Sequence, residues 1–282
     1  MLLPYDAKAV RDLAGELDRW KTQLDYRGLL PRAWAGRLRR DLEAEAVAAS
    51  TSMEGVPVTV EEVRRILAGE VPPETREEDA ALVRGYRDAV SFVLRRADDA
   101  AFRWDRELLI GLHDRILTGN WGGGAGRFRT GAAYVVDNRT GELVFQPPPP
   151  EDIPALVDSA CSVMQEGPEH PAISAAWIHV AVAAIHPFKD GNGRASRVVA
   201  SLAMYRGGFN GEERGGAVAR VIVDPLLHLP GPHGQQWLRA IQGLNLGFLV
   251  DAQHERLIRR VEVQPHDVPE MDWVKVAALV GP

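Results

Sequence analysis

The chain has 282 residues, 45% hydrophobic and 26% charged, with a formal net charge of −6. This is the composition of an ordinary globular protein of one large or two small domains, without the general positive field that nucleic-acid binding calls for. Cys161 is the only cysteine, which excludes an internal disulfide and a cysteine-rich metal site.

The first residues, Met1 to Lys8, lack a basic stretch followed by an apolar one. No signal peptide is therefore expected, and the chain reads as cytoplasmic. Apolar and charged residues alternate at three- and four-residue spacing from Asp6 to Leu24 and from Ala33 to Glu54, which predicts two helices. Gly55 and Pro57 stop the second helix. Glu54 then lies in its last turn, where the negative end of the dipole disfavours a carboxylate. Local physics alone reads it as a frayed surface side chain.

Gly69 to Glu77, rich in proline and glutamate, breaks the helical pattern. Helices resume from Glu78 to Arg96 and from Asp105 to Thr118, with His113 as a packing or polar core residue. Trp121 to Gly126 is a glycine-rich connector. It lacks the Gly-Lys-Ser/Thr ending and the strand-to-helix setting of a phosphate loop. Ala133 to Val136 and Leu143 to Phe145 predict a hairpin around Asp137 to Gly141. Gln146 to Pro150 must be extended, because proline fixes φ and removes a donor. Glu151 and Asp152 open the next helix.

Pro171 to Phe188 approaches a membrane-spanning length, with Ser174, His179 and His186 its only strongly polar side chains. It reads as a buried central helix from Ala172 to His186, closed by Pro187, and no membrane contact is expected. A second helix starts near Gly193 and buries Val198, Val199, Leu202 and Ala203. Gly207 to Gly216 is loose, Gln235 to Leu246 is helical, and a charged tail follows. The fold class is mainly α with one small hairpin.

The densest chemistry lies in His186-Pro-Phe-Lys-Asp-Gly-Asn-Gly-Arg-Ala-Ser-Arg197. A helix N-terminus offers free N–H groups and a partial positive charge to anions. Gly191 and Gly193 let a phosphate approach the backbone closely. Arg194 and Arg197 share a helix face. Cations in a first helical turn are locally unfavourable by roughly 0.3–1 kcal/mol each when exposed. A bound polyphosphate would resolve that conflict, and arginine forks suit it. Asp190 supplies a hard oxygen for Mg²⁺. His186 has an ordinary pKa suited to taking a proton from an attacking hydroxyl. His179 and His186 have no acidic or cysteine partner at ligand spacing, which argues against zinc.

The segment resembles the Fic family motif, His-x-Phe-x-Asp/Glu-Gly-Asn-Gly-Arg-x-x-Arg, at every defined position. The wider resemblance runs over about residues 35–250. It implies a Fic-type helical fold with the hairpin as a flap beside the active site. The implied divisions are an N-terminal region 1–103 with an inhibitory helix at about 36–55, a catalytic core 104–250 and a tail 251–282. The implied activity is transfer of AMP from ATP to a Ser, Thr or Tyr hydroxyl, with Mg²⁺.

By the same resemblance, His186 is the general base and Asp190 the Mg²⁺ ligand. Gly191, Asn192 and Gly193 form an anion cradle, and Arg194 and Arg197 hold the outer phosphates. The family's phosphotransferase branch has lysine at the position of Gly193, so that branch is disfavoured. Ser50, Glu54 and Gly55 fit the family's inhibitory motif Ser/Thr-x-x-x-Glu-Gly/Asn, whose glutamate pairs with the second arginine, here Arg197. Placed N-terminally, the motif implies a self-contained protein that needs no separate antitoxin.

Val144 and Phe145 are the flap candidates for aligning an extended target segment. Trp237 and Asn245 loosely match a tyrosine and asparagine that relatives place near the ribose and base. Self-modification and a homodimer are further expectations of the resemblance. Two other readings stay open: a nucleotide-sensing module with Glu54 as a permanent lock, and removal of AMP from a modified protein with Glu54 aligning water.

Overall fold

The computed structural model describes residues 43–118, 122, 124–136, 143–167 and 170–209, scattered helical residues within 11–22, and residues 220–221 and 248–249. Trp237, Asn245, the hairpin loop at 137–142, the expected helix at 235–246 and the tail at 251–282 lie outside the described residues.

Residues 43–52 are helical. The segment closes by a Schellman turn, in which Val56 N–H donates to Thr51 O (3.2 Å) and Gly55 N–H to Ser52 O (3.0 Å). Gly55 takes φ +82°, which glycine adopts without a Cβ penalty. Glu54 thus stands one step beyond the expected last turn, at the capping position.

Helix α1 (Val60–Leu67) was not anticipated. It opens on a capping box in which Thr59 accepts from Glu62 N–H while the Glu62 carboxylate accepts from Thr59 N–H at 2.7 Å. Donation from the Thr59 hydroxyl at 2.6 Å and then from the Thr59 N–H holds the Glu62 carboxyl below its usual pKa. Helix α2 (Glu77–Ala97) has three acidic residues in its first turn and two arginines in its last, the arrangement its dipole favours. Asp105 caps α3 (Arg106–Ile116) by accepting from Leu108 N–H at 2.8 Å.

The hairpin pairs β1 (Val135–Val136) with β2 (Leu143–Phe145) in antiparallel register. Val135 faces Phe145 and Val136 faces Leu143, so Val144 falls between the two pairs at an irregularity. Pro150–Asp152 form a 3₁₀ turn, and α4 (Ile153–Glu166) begins after it, two residues later than the acidic pair suggested. A second strand pair, β3 (Arg220–Val221) with β4 (Phe248–Leu249), adds to the single hairpin expected.

Helices α5 (Pro171–Ile185) and α6 (Asn192–Arg206) pack on each other at the centre, with α2 and α3 against α6 and α4 against α5. One apolar cluster takes Val47, Val56 and Ile66 from the N-terminal region together with Ile178, Val182, Val198 and Leu202 from the central pair. The N-terminal segment therefore shares the core of α5 and α6. Among the described residues no helix is long and apolar enough to cross a membrane; α5 is apolar all round because it is enclosed by protein.

Candidate active site

Helix α5 ends at Ile185, and His186 is its cap, with φ +50° and ψ +56°. Among the described residues it is the one non-glycine residue with positive φ. A left-handed residue other than glycine costs roughly 1–2 kcal/mol, so surrounding contacts must hold it there. Burial keeps the His186 imidazole below its ordinary pKa; the nearby Arg129 charge acts in the same sense, while a hydrogen bond to Ala183 opposes it. The ring is therefore a neutral base at ordinary pH.

The chain then turns through Pro187 to Gly191 into α6. Phe188 is fully buried and stacks on His113, with ring centroids 3.6 Å apart and planes inclined by 5°. Gly126 N–H donates to His113 Nδ1 at 3.1 Å, so the ring proton is on Nε2, which donates to Asp190 O at 2.8 Å. His113 thus ties the glycine-rich connector to the motif loop, and burial holds its pKa down.

Asn192 closes the same loop on itself. Its Oδ1 accepts from Phe188 N–H at 2.9 Å and its Nδ2 donates to Phe188 O at 2.8 Å. With both ends of its amide engaged, Asn192 shapes the loop, and what it presents at the helix N-terminus is backbone. Gly191 is the N-cap of α6 with φ +75°, and no side chain caps the helix. The first-turn N–H groups therefore keep their affinity for an anion.

Asp190 is half exposed and accepts from Gly191 N–H at 2.6 Å and from Arg194 Nη2 at 3.3 Å. Arg194 is only 2% exposed, and its Nε and Nη1 have no hydrogen-bond partner. A buried guanidinium with idle donors is unfavourable unless an anion meets it.

Arg197 has partners. Its Nη2 donates to Glu54 Oε1 at 2.8 Å and to Ser50 O at 3.1 Å, and its Nε donates to Ser50 Oγ at 2.8 Å. The side chains of Arg197 and Glu54 are 9% and 14% exposed. A Cβ on Gly193 would overlap Glu54 Oε1, so the carboxylate lies directly against the first turn of α6. An anionic group from residue 54 thus sits at the helix N-terminus, with Arg197 bound and the Nε and Nη1 donors of Arg194 unused.

The structure brings together Ser50, Glu54, Gly193 and Arg197, and groups His186, Asp190, Asn192 and Arg194 on one loop and helix start. Gly55 shapes the turn that presents Glu54. Phe145 is half-buried in β2, and Val144 is placed only as a backbone position. On the flap, Tyr134 and Leu143 are the exposed large apolar residues, at 60% and 56%, and neither was singled out in sequence. Arg129 and His113 support the loop through contacts with residues more than fifty positions away, which no local pattern announces.

A family model described as Fic/DOC family matches residues 103–204. Among curated proteins, the chain is similar to the protein adenylyltransferase Fic of Nematostella vectensis, at 34% identity over 104 residues, 36% of this chain. The chain spans 23% of the length of that relative. Among solved structures, a Fic family protein from Desulfovibrio desulfuricans superposes with a TM-score of 0.58 at 26% identity, covering 72% of this chain and 60% of that one. A Fic domain containing signaling protein from Bacteroides thetaiotaomicron gives a TM-score of 0.57 at 25% identity, covering 64% of this chain and 69% of that one.

Proposed function

The chain belongs to the Fic/DOC family through residues 103–204, and from that premise we propose that it is an auto-inhibited protein adenylyltransferase. The relative from Nematostella vectensis is named a protein adenylyltransferase, which supports nucleotide transfer as the reaction class. One observation carries the reading: the carboxylate of Glu54 lies on Arg197 against Gly193, at the helix N-terminus where the phosphates of ATP would bind.

In the proposed reaction His186 accepts the proton of a target Ser, Thr or Tyr hydroxyl. The hydroxyl oxygen bonds to the α-phosphorus, and the bond from that phosphorus to the bridging oxygen breaks. Pyrophosphate leaves with the electron pair. The idle Nε and Nη1 donors of Arg194 and the backbone N–H groups of α6 would meet negative charge on the phosphates. Arg197 would hold the outer phosphates once Glu54 leaves it.

No group of three His, Cys, Asp or Glu side chains among the described residues could hold a metal unaided. The half-exposed Asp190 carboxylate, beside idle phosphate donors, nonetheless fits Mg²⁺, which needs few protein ligands when phosphates complete its shell. Bound there, Mg²⁺ would neutralise phosphate charge. ATP and a hydroxyl-bearing protein are the partners in this reading, and self-modification comes with it.

The experiment is incubation of wild type and Glu54→Gly with α-labelled ATP, Mg²⁺ and a lysate. Strong labelling by Glu54→Gly and weak labelling by wild type are expected. Equal labelling by the two would remove the inhibitory role. No labelling by either would favour a nucleotide-sensing module, a reading supported by the three contacts that hold Arg197 to Ser50 and Glu54.

A further inference from the structure

Arg129 is 7% exposed and has no carboxylate partner among the described residues. Its guanidinium is satisfied by backbone carbonyls instead. Nε donates to His186 O at 2.7 Å, and Nη2 donates to Pro148 O at 2.6 Å and to Ile185 O at 3.5 Å. Nη1 donates to Gly131 O at 2.9 Å, and the Arg129 backbone N–H donates to Pro187 O at 2.9 Å. Two groups of partners are distinct in the fold. Ile185, His186 and Pro187 are the end of α5 and the start of the motif loop. Gly131 and Pro148 are the two roots of the hairpin, before β1 and after β2.

One rigid, planar cation thus spans the flap base and the residue that carries the base imidazole. Its charge also sits at the negative end of the α5 dipole, among carbonyls a helix leaves unpaired. A buried charge without a counter-ion is tolerated only when its hydrogen bonds are filled, and here they are filled by this junction. The His186 cap adopts left-handed backbone, and its carbonyl accepts directly from Arg129 Nε.

We infer that Arg129 is a positioning residue that holds the His186 imidazole in register with the target-binding flap. The inference rests on the transferase reading for its kinetic consequence, though the physical link does not. Lysine cannot replace Arg129, because a single ammonium on a flexible stem lacks the fork needed to reach both sides.

The test uses Arg129→Lys, Arg129→Gln and Arg129→Ala in the Glu54→Gly background, with two readouts. In AMP transfer, kcat should fall by about 100-fold, the usual consequence of an ångström-scale misplacement, while KM for ATP stays within about threefold. Millimolar guanidinium ion should recover part of the rate in Arg129→Ala. Unchanged kcat, or a loss confined to KM, would overturn the inference.

The second readout is amide hydrogen exchange, which needs no activity. Amides of β1, β2, His186 and Phe188 should lose protection together, with α2 and the second half of α6 unchanged. Loss at the flap alone, or global loss in both the lysine and glutamine variants, would assign Arg129 to something other than this junction. If Glu54→Gly transfers no AMP, the transferase reading fails, and the exchange pattern still decides the link.

Discussion

Gly193 is the residue on which two occupants of one place depend. Lacking a Cβ, it admits the Glu54 carboxylate to the first turn of α6, and the same absence would admit a phosphate. Arg197 keeps two bonds to Ser50 when Glu54 is removed. Its charge nonetheless loses a largely buried partner, and breaking such a pair costs up to about 3–5 kcal/mol. Glu54→Ala should therefore lower the urea midpoint, and ATP should raise its melting temperature more than that of wild type, since ATP would no longer compete with a tethered carboxylate. An identical ATP shift in both proteins would show that Glu54 does not compete for the site. At this scale the motif residues 186–197 were legible because their chemistry is contiguous and helix spacing sets their relations. His113 reads as a packing or polar core residue, and its burial against Phe188 agrees. Neither its link to Asp190 nor the place of Arg129 is legible until the residues they bridge are brought near.

Glycines within helices separate packing from propensity. In α2, a Cβ on Gly85 would come 2.5 Å from Arg115 O and 2.8 Å from Ile116 O, so α2 lies against the C-terminal backbone of α3. Gly85→Ala should destabilise the fold by roughly 1–3 kcal/mol, as overpacking does. In α3, Gly111 would meet only the end of the Arg115 side chain, at 3.5 Å. Gly111→Ala should stabilise by about 0.5–1 kcal/mol through helix propensity. Urea denaturation of the two variants checks both signs, and like signs would refute the contrast. The long helices were readable from periodicity and caps. Helix α1 escaped because it is short, although Thr59-x-x-Glu62 is a capping-box signal. Residues 171–188, which read as a buried central helix despite their near-membrane length, contain α5, which neighbouring helices enclose.

For the whole molecule, three histidines share a direction. His113 and His186 have lowered pKa values, first through burial, and His179 is pushed down to about 4 by burial and the Arg197 charge. Below the ordinary histidine pKa, near 6.5, the unfolded chain takes up protons that the folded chain refuses. Stability should accordingly fall as pH drops from about 6.5 toward 5, measured by denaturation midpoints at constant ionic strength. A flat profile over that window would contradict the buried neutral rings. The transfer reaction, if His186 is its base, should hold its rate below pH 6.5 further than an unperturbed histidine would allow.

By itself the sequence determined a mainly helical protein with a hairpin and marked His186 to Arg197 as its candidate site, because helix periodicity and motif spacing are local properties. It also carried, through family resemblance, the expectation that Glu54 would meet Arg197; local physics read the same glutamate as a surface residue. Only the tertiary structure decided that Glu54 lies against Gly193, that Arg194 is buried with idle donors, and that Arg129 spans the hairpin roots and the His186 carbonyl. Those relations join residues as far apart in the chain as Glu54 and Gly193. They depend on which faces the core brings together, and no spacing along the sequence encodes that.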